Sequence, residues 1–313
     1  LKSEITLGAD PRAEAKVKKQ IPTYSDFMIE TYLHHARAHK RSWKKDESLF
    51  RCHLQDEFGA IRLDKFSREH VQRFHGNLPS SKGISSTQAD HCLKLLRHSI
   101  NIAVEFEIIK ANPIAKVKLF SLDNKVENYL DEQQLQQLLH VLQADRNRVI
   151  CNVALLLLST GARLNEILSL TWKNCNREQR VLKIDAINSK SRKVRSIPMN
   201  DSALAVLDSL DTEGKYEYLF INPRTGLRLK NVHKTWDRLR RAAGLSHLRL
   251  HDLRHTYASL LCADNISMVH IQAILGHADF STTSRYLHIS NNTLKIAAAS
   301  ASNAINRAMQ ASS

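Results

Sequence analysis

The sequence predicts a mainly α protein in two domains: an all-helical N-terminal domain, then a mixed α/β domain, mostly helical with a small antiparallel sheet. Three observations carry this. Apolar residues recur at helical spacing from Tyr24 to Ile109 and stop at the Asn112-Pro113 breaker. Residues 116–128 are polar and aperiodic, as a linker is. Beyond them, the stretch VLKIDAINSKSRKVRSIPM changes character and reads as strand, polar basic turn, strand. Two domains are also the natural partition of 313 residues.

The elements follow in order. Residues 1–20 are basic and weakly patterned, a linker or the remnant of something removed. Phe27, Met28, Tyr32 and Leu33 make one helix face. Leu49, Phe50 and Leu54 make a second. Ser67 is a good N-cap for a third, with Val71 and Phe74 behind it. A long fourth runs from Ser86 through Ile109, with Leu93, Leu96, Ile100 and Val104 at helical spacing. Residues 21–115 are therefore an all-helical domain of about four helices.

After the linker, residues 129–290 form the second domain. Asp131 caps a helix in YLDEQQLQQLLHVL, and an apolar run then ends in STGAR. Val181, Ile184 and Ile187, then Val194 and Ile197, flank the hairpin turn, with Lys190 near its tip. Helices follow at about 200–210, 230–243, 251–263 and 267–275. Residues 291–313 are Ala-rich and read as a detachable tail helix.

Lys and Arg number 46 against 31 Asp and Glu, a net charge of +15. Such an excess points to a polyanionic partner, nucleic acid first. The basic residues are spread along the chain rather than gathered on one amphipathic helix, which disfavours a membrane-surface protein. No apolar stretch is long enough to span a bilayer, and the polar start has no secretory pattern. The five cysteines are odd in number and form no CxxC, as expected of reduced thiols in the cytoplasm.

Two segments concentrate the chemistry. In LSTGARLNEILSLTW, Arg163 follows the end of an apolar helix, with Glu166 one turn behind it. A sheltered cation needs an anion. Either Glu166 is that partner, or the arginine waits for an anion from outside. In LRLHDLRHTYASLL, His251, Arg254 and His255 lie within about one turn. HxxxH spacing raises a zinc site, but Asp252 stands where the protease pattern wants Glu, and Arg254 is a cation among the ligands. His255 can equally be packed inside. In ILGHADFSTTSRYLH, a helix ends at Gly276, His277 follows, and Tyr286 comes nine residues later, looking exposed.

Arg163, Arg254 and Lys190 suit a phosphate, and two guanidinium forks can hold both non-bridging oxygens. No acidic cluster suits Mg²⁺ and no P-loop occurs. A metal-free phosphoryl transfer then needs a protein nucleophile, for which Tyr286 is the natural candidate.

The segments TGARLNEILSLTW, SKSRKVRSIPM, HDLRHTYASLL and LGHADFSTTSRYLHIS, in this order over residues 125–290, resemble the tyrosine recombinases, or phage-type integrases. The resemblance implies that residues 21–115 are the family's core-binding domain, a SAM-like helical fold, and residues 129–290 its catalytic domain. It implies a site-specific recombinase that cleaves and rejoins DNA through a 3′-phosphotyrosyl intermediate to integrate or excise a mobile element. Arg163 and Arg254 would clamp the scissile phosphate and Tyr286 would attack it. Lys190 would protonate the leaving 5′-oxygen, His251 would assist proton transfer, and His277 would hydrogen-bond the phosphate. Glu166 fills the supporting acidic position.

The resemblance further implies no cofactor, a homotetramer on double-stranded DNA that is a monomer or weak oligomer when free, and accessory DNA-bending or directionality proteins. The two domains would clamp the duplex, with Arg192, Lys193, Lys230, Lys234, Arg240 and Arg241 as backbone contacts. The tail from Asn291 would pack on a neighbouring protomer. Residues 1–20 resemble the segment after an arm-type DNA-binding domain, which would then be missing here. The turn at Lys190 lacks the glycine that many relatives carry. The rivals are a type IB topoisomerase and a non-catalytic DNA-binding regulator on the same fold.

Overall fold

The computed structural model describes residues 21–120, 128–188 and 193–286. The chain divides into two compact units, Leu1–Lys125 and Val126–Ser313.

In the first unit, Tyr24–Phe27, Met28–Tyr32 and Leu33–His39 run on as one helix, α1, with a wide π-turn at its middle. Trp43–Leu49, Phe50–Leu54 and Gln55–Phe58 form α2 in the same way. Arg68–Lys82 is α3 and Ser86–Glu105 is α4. The Ser67 hydroxyl caps α3 and the Ser85 hydroxyl caps α4. Each helix contributes its apolar face to one core that includes Phe27, Phe50, Val71, Leu93 and Ile100.

The long helix stops at Glu105, short of Ile109. Glu107 takes a left-handed φ of 58°, and the N–H groups of Ile108 and Ile109 turn back to the Ala103 carbonyl. Residues 116–120 were expected to open the linker. Instead they lie against this unit: Val117 is buried in its core, Arg97 donates to the Val117 carbonyl, and the Phe120 N–H donates to Asp90. Residues 121–127 lie outside the described residues.

The second unit is built around α6, Arg148–Thr160, whose Cys151, Val153, Ala154, Leu156 and Leu157 are all buried. Before it comes α5, Glu132–Ala144, with a capping box between Asp131 and Gln134. After it come the short α7, Leu164–Leu168, and a three-stranded antiparallel sheet in the order β1 (Cys175–Asn176), β2 (Val181–Ile184), β3 (Arg195–Pro198). Then follow α8 (Asp201–Asp208), α9 (His233–Ala242), α10 (Asp252–Ala263), α11 (Met268–Leu275) and α12 (Ser281–Ser284).

The hairpin is shorter than its apolar residues suggested. Strand β2 ends at Ile184 because Asp185 starts a turn: its carboxylate accepts from the Asn174 amide and its carbonyl from the Asn188 N–H. Ile187 and Val194 are exposed outside the strands. Their three-residue spacing from Ile184 and Ile197 does not match the two-residue period of a strand. In the register, Leu182 faces Ile197 and Ile184 faces Arg195. Leu182, Ile184 and Ile197 are buried, so Arg195 lies on the core-facing side of the sheet.

Candidate active site

Helix α6 ends at Gly161, where φ is +61°. A side chain there would be strained and would collide with the Tyr257 ring. The turn carries the chain into Arg163 at the head of α7. Helix α11 ends likewise at Gly276, φ +64°, packed against the Arg195 side chain, and His277 follows. The two helix ends meet. Arg163 Nη2 donates to the Gly276 carbonyl at 3.2 Å. Arg254, on α10 and 2% exposed, donates from Nη1 to the Gly161 carbonyl and from Nη2 to the Leu275 carbonyl, each at 2.7 Å.

Glu166 is 1% exposed and takes three hydrogen bonds. The backbone N–H and Nη1 of Arg163 each donate at 2.9 Å, and Arg195 Nη2 donates at 2.6 Å. Arg195 also donates to the Ile274 carbonyl at 2.7 Å. Burial opposes the charge of Glu166, but the bond and charge of Arg195, joined by those of Arg163, outweigh it and hold the carboxyl below its usual range. So Glu166 does meet Arg163, and it is shared with a second arginine. Among the described residues, two of the five Arg163 N–H donors are engaged.

Sequence reading missed Arg195. The signal was present: in RSIPM, alternation sets Arg195, Ile197 and Met199 on one face, and the last two are apolar. A cation on an apolar face demands a buried anion.

Tyr286 corrects an expectation. It looked exposed and is 4% exposed, packed with Ala258, Cys262, Ile271 and Leu275. Its hydroxyl lies 2.5 Å from His255 Nδ1. His255 was read as packed or metal-binding, and is instead half-buried against the tyrosine. His251 keeps an exposed face and stacks edge-on with His255 at 5.1 Å between ring centroids. No group of three or more metal-ligating side chains occurs among the described residues. His277 Nδ1 lies 2.8 Å from the Thr283 hydroxyl.

The electrostatics are consistently positive. Burial, then Arg163 and Arg195, push Arg254 down to about 9, which still leaves it a cation at neutral pH. Burial, then Arg254 and Arg163, push His277 down to about 3. Burial, then His251, push His255 down to about 4, against the pull of Asp252. Partial burial and Arg254 lower His251. Asp252 itself is engaged by Arg249 at 2.7 Å. The arrangement is a cationic pocket lined by neutral imidazoles, suited to an anion with two acceptor oxygens.

Lys190 and Arg192 lie outside the described residues. Of the other expected DNA contacts, Lys193, Lys230 and Lys234 are exposed. Arg240 donates to Asp237 and to the Leu248 carbonyl, and Arg241 donates to Asp237.

Comparison with known proteins bears on the family and the fold. A sequence profile of the phage integrase family matches residues 128–293. The tyrosine recombinase XerC of Bacillus licheniformis is 28% identical over 68% of this chain and 74% of its own length. A tyrosine recombinase of Thermosipho africanus is 24% identical over 84% and 94%. Among solved structures, the Tn1549 transposon integrase in complex with transposon right end DNA superposes with a TM-score of 0.71 at 21% identity, covering 85% of this chain and 94% of that one. A lambda integrase tetramer bound to a Holliday junction gives 0.68 at 16%, covering 90% and 83%. Since the family profile spans more than half of its length, the chain belongs to the phage integrase family, the tyrosine recombinases.

Proposed function

We propose that this protein is a site-specific DNA recombinase of a mobile element, with Tyr286 as its nucleophile. The observation that carries this is the meeting of Arg163 and Arg254 at the Gly161 and Gly276 turns, on the helix whose next residue, His255, touches the Tyr286 hydroxyl.

The scissile phosphodiester sits between the two guanidiniums, whose remaining donors take its non-bridging oxygens. These are fixed charges aimed where negative charge grows as phosphorus becomes five-coordinate. Tyr286 Oη bonds to phosphorus and the 5′-oxygen leaves, taking a proton from Lys190. The product is a 3′-phosphotyrosyl link and a free 5′-hydroxyl. His277 donates a hydrogen bond to the phosphate, and His251 assists proton transfer. The 5′-hydroxyl of a partner strand then attacks the link, so no hydrolysis intervenes. Two such rounds in a homotetramer exchange both strands. The arginines supply the charge stabilisation, so strand cleavage proceeds in EDTA.

Lys193, Lys230 and Lys234 line the backbone, and binding weakens steeply with salt. The relatedness to transposon and phage integrases supports the assignment to a mobile element. The test is a nicked suicide duplex that traps the covalent complex. Wild type forms the adduct, and Tyr286→Phe binds the duplex but forms none. An adduct in the Phe variant, or none in the wild type, overturns the reading.

A further inference from the structure

In the recombination chemistry set out above, the Tyr286 phenol must lose its proton, and among the described residues the histidine bonded to its oxygen is His255 rather than His251. At ordinary acidity a phenol keeps that proton at neutral pH. The structure places a described nitrogen on the reacting atom: His255 Nδ1, 2.5 Å from Tyr286 Oη. His251, the N-cap of α10, and Arg254 and His255 within it stand at i, i+3 and i+4, so one face at the head of this helix carries all three. The packing of Tyr286 against Ala258 and Cys262, on the same helix, and Ile271 and Leu275 of α11 fixes the ring beside His255.

We propose that His255 is a catalytic residue of strand cleavage: its Nδ1 holds the Tyr286 hydroxyl and takes the phenolic proton as Oη bonds to phosphorus. This rests on the reading of the chain as a recombinase with Tyr286 as nucleophile. The proton passes from Oη to Nδ1, the Oη–P bond forms, the P–O5′ bond breaks, and the 5′-oxygen is protonated by the separate acid. On religation the phenolate leaves and recovers the proton from His255. The imidazole begins neutral with its proton on Nε2, leaving Nδ1 as acceptor.

The surroundings time the transfer. Burial first, then the charge interactions with His251, Arg285 and Arg249 against that of Asp252, keep the His255 imidazole neutral. Before DNA arrives, burial together with this positive field makes His255 a poor base and Tyr286 keeps its proton. An incoming phosphodiester brings negative charge, offsets the field and raises the basicity of the imidazole. The nucleophile is thereby armed by its own substrate.

The experiment is single-turnover cleavage of the nicked suicide duplex by His255→Phe and His255→Asn. Each is run with an ordinary substrate and with one whose leaving 5′-oxygen is replaced by sulfur. A sulfur leaving group needs no protonation, so it rescues loss of the acid but not loss of the base. His255→Phe is expected to cleave about 10²- to 10⁴-fold more slowly on both substrates, with duplex binding unchanged. His255→Asn places an amide oxygen near the former Nδ1. It holds the hydroxyl without taking its proton, so it folds and binds but stays at least about tenfold slow, with a rate that climbs as pH rises. Wild-type rates in His255→Phe, rescue by sulfur, or full activity in His255→Asn each overturn the proposal. An absent wild-type adduct would instead overturn the recombinase reading on which it rests.

Discussion

Both units bury polar side chains, and they settle them differently. In the first, the buried acids and the tyrosines and histidine around them pair locally. Tyr24 bonds to Ser99, Tyr32 and Lys40 bond to Asp46, and His75 bonds to Asp90. In the second, three guanidiniums, those of Arg163, Arg195 and Arg254, gather around the single carboxylate of Glu166. The deficit is filled with main-chain carbonyls, which satisfy hydrogen bonds without cancelling charge. Balanced burial is what a scaffold needs. Unbalanced burial of one sign is what a site needs when its missing charge comes with the substrate.

Substitutions can break that contrast, and the largest effect belongs to the unbalanced side. Arg163→Lys keeps the charge and loses the fork, so covalent-adduct formation should fall by about 10²-fold or more. A near-normal rate would make Arg163 merely the structural partner of Glu166. Glu166→Gln leaves two arginines facing a neutral amide in a dry site. Urea unfolding should show a loss of about 3 kcal/mol. The matching change in the first unit, Asp46→Asn, should cost less, about 1–2 kcal/mol, because its Lys40 partner is half in water. Equal costs would erase the contrast.

A pH series sharpens it further. His255 and His277 titrate in the fold at about 4 and about 3, below the 6.5 of the unfolded chain. Between those values the unfolded chain binds protons that the folded one refuses, so stability is full above 6.5 and falls as the solution is acidified. The urea midpoint should therefore drop from pH 7 to pH 4.5, and His277→Asn should flatten part of that slope. An unchanged slope in that variant would place the loss elsewhere.

Much of this was legible in the chain. Helical periodicity located all four helices of the first unit, and Asp131 and Ser67 cap where their side chains suggested. The glycine of STG and the one before His277 marked two helix ends. What periodicity did not reveal was which ends meet, since that depends on pairings such as Arg254 with Gly161, 93 residues apart. Arg195 was overlooked because a basic turn beside it made one more arginine look like surface. Tyr286 was misjudged because, among the described residues, its cover comes from α10 and α11, earlier in the chain, rather than from its sequence neighbours.

The anchors of the arginine pair carry a consequence for how the protein tolerates sequence drift. A clamp held by carboxylates alone could be lost by any one of several side-chain changes. Here Arg163 and Arg254 are tied to the carbonyls of Gly161, Leu275 and Gly276, which every amino acid possesses. Mutation at Leu275 leaves its carbonyl in place, and only the two glycines, held at left-handed φ, are vulnerable as backbone. The mutational target for misaiming the pair is thus small: the two glycines, and Glu166, which also holds Arg163.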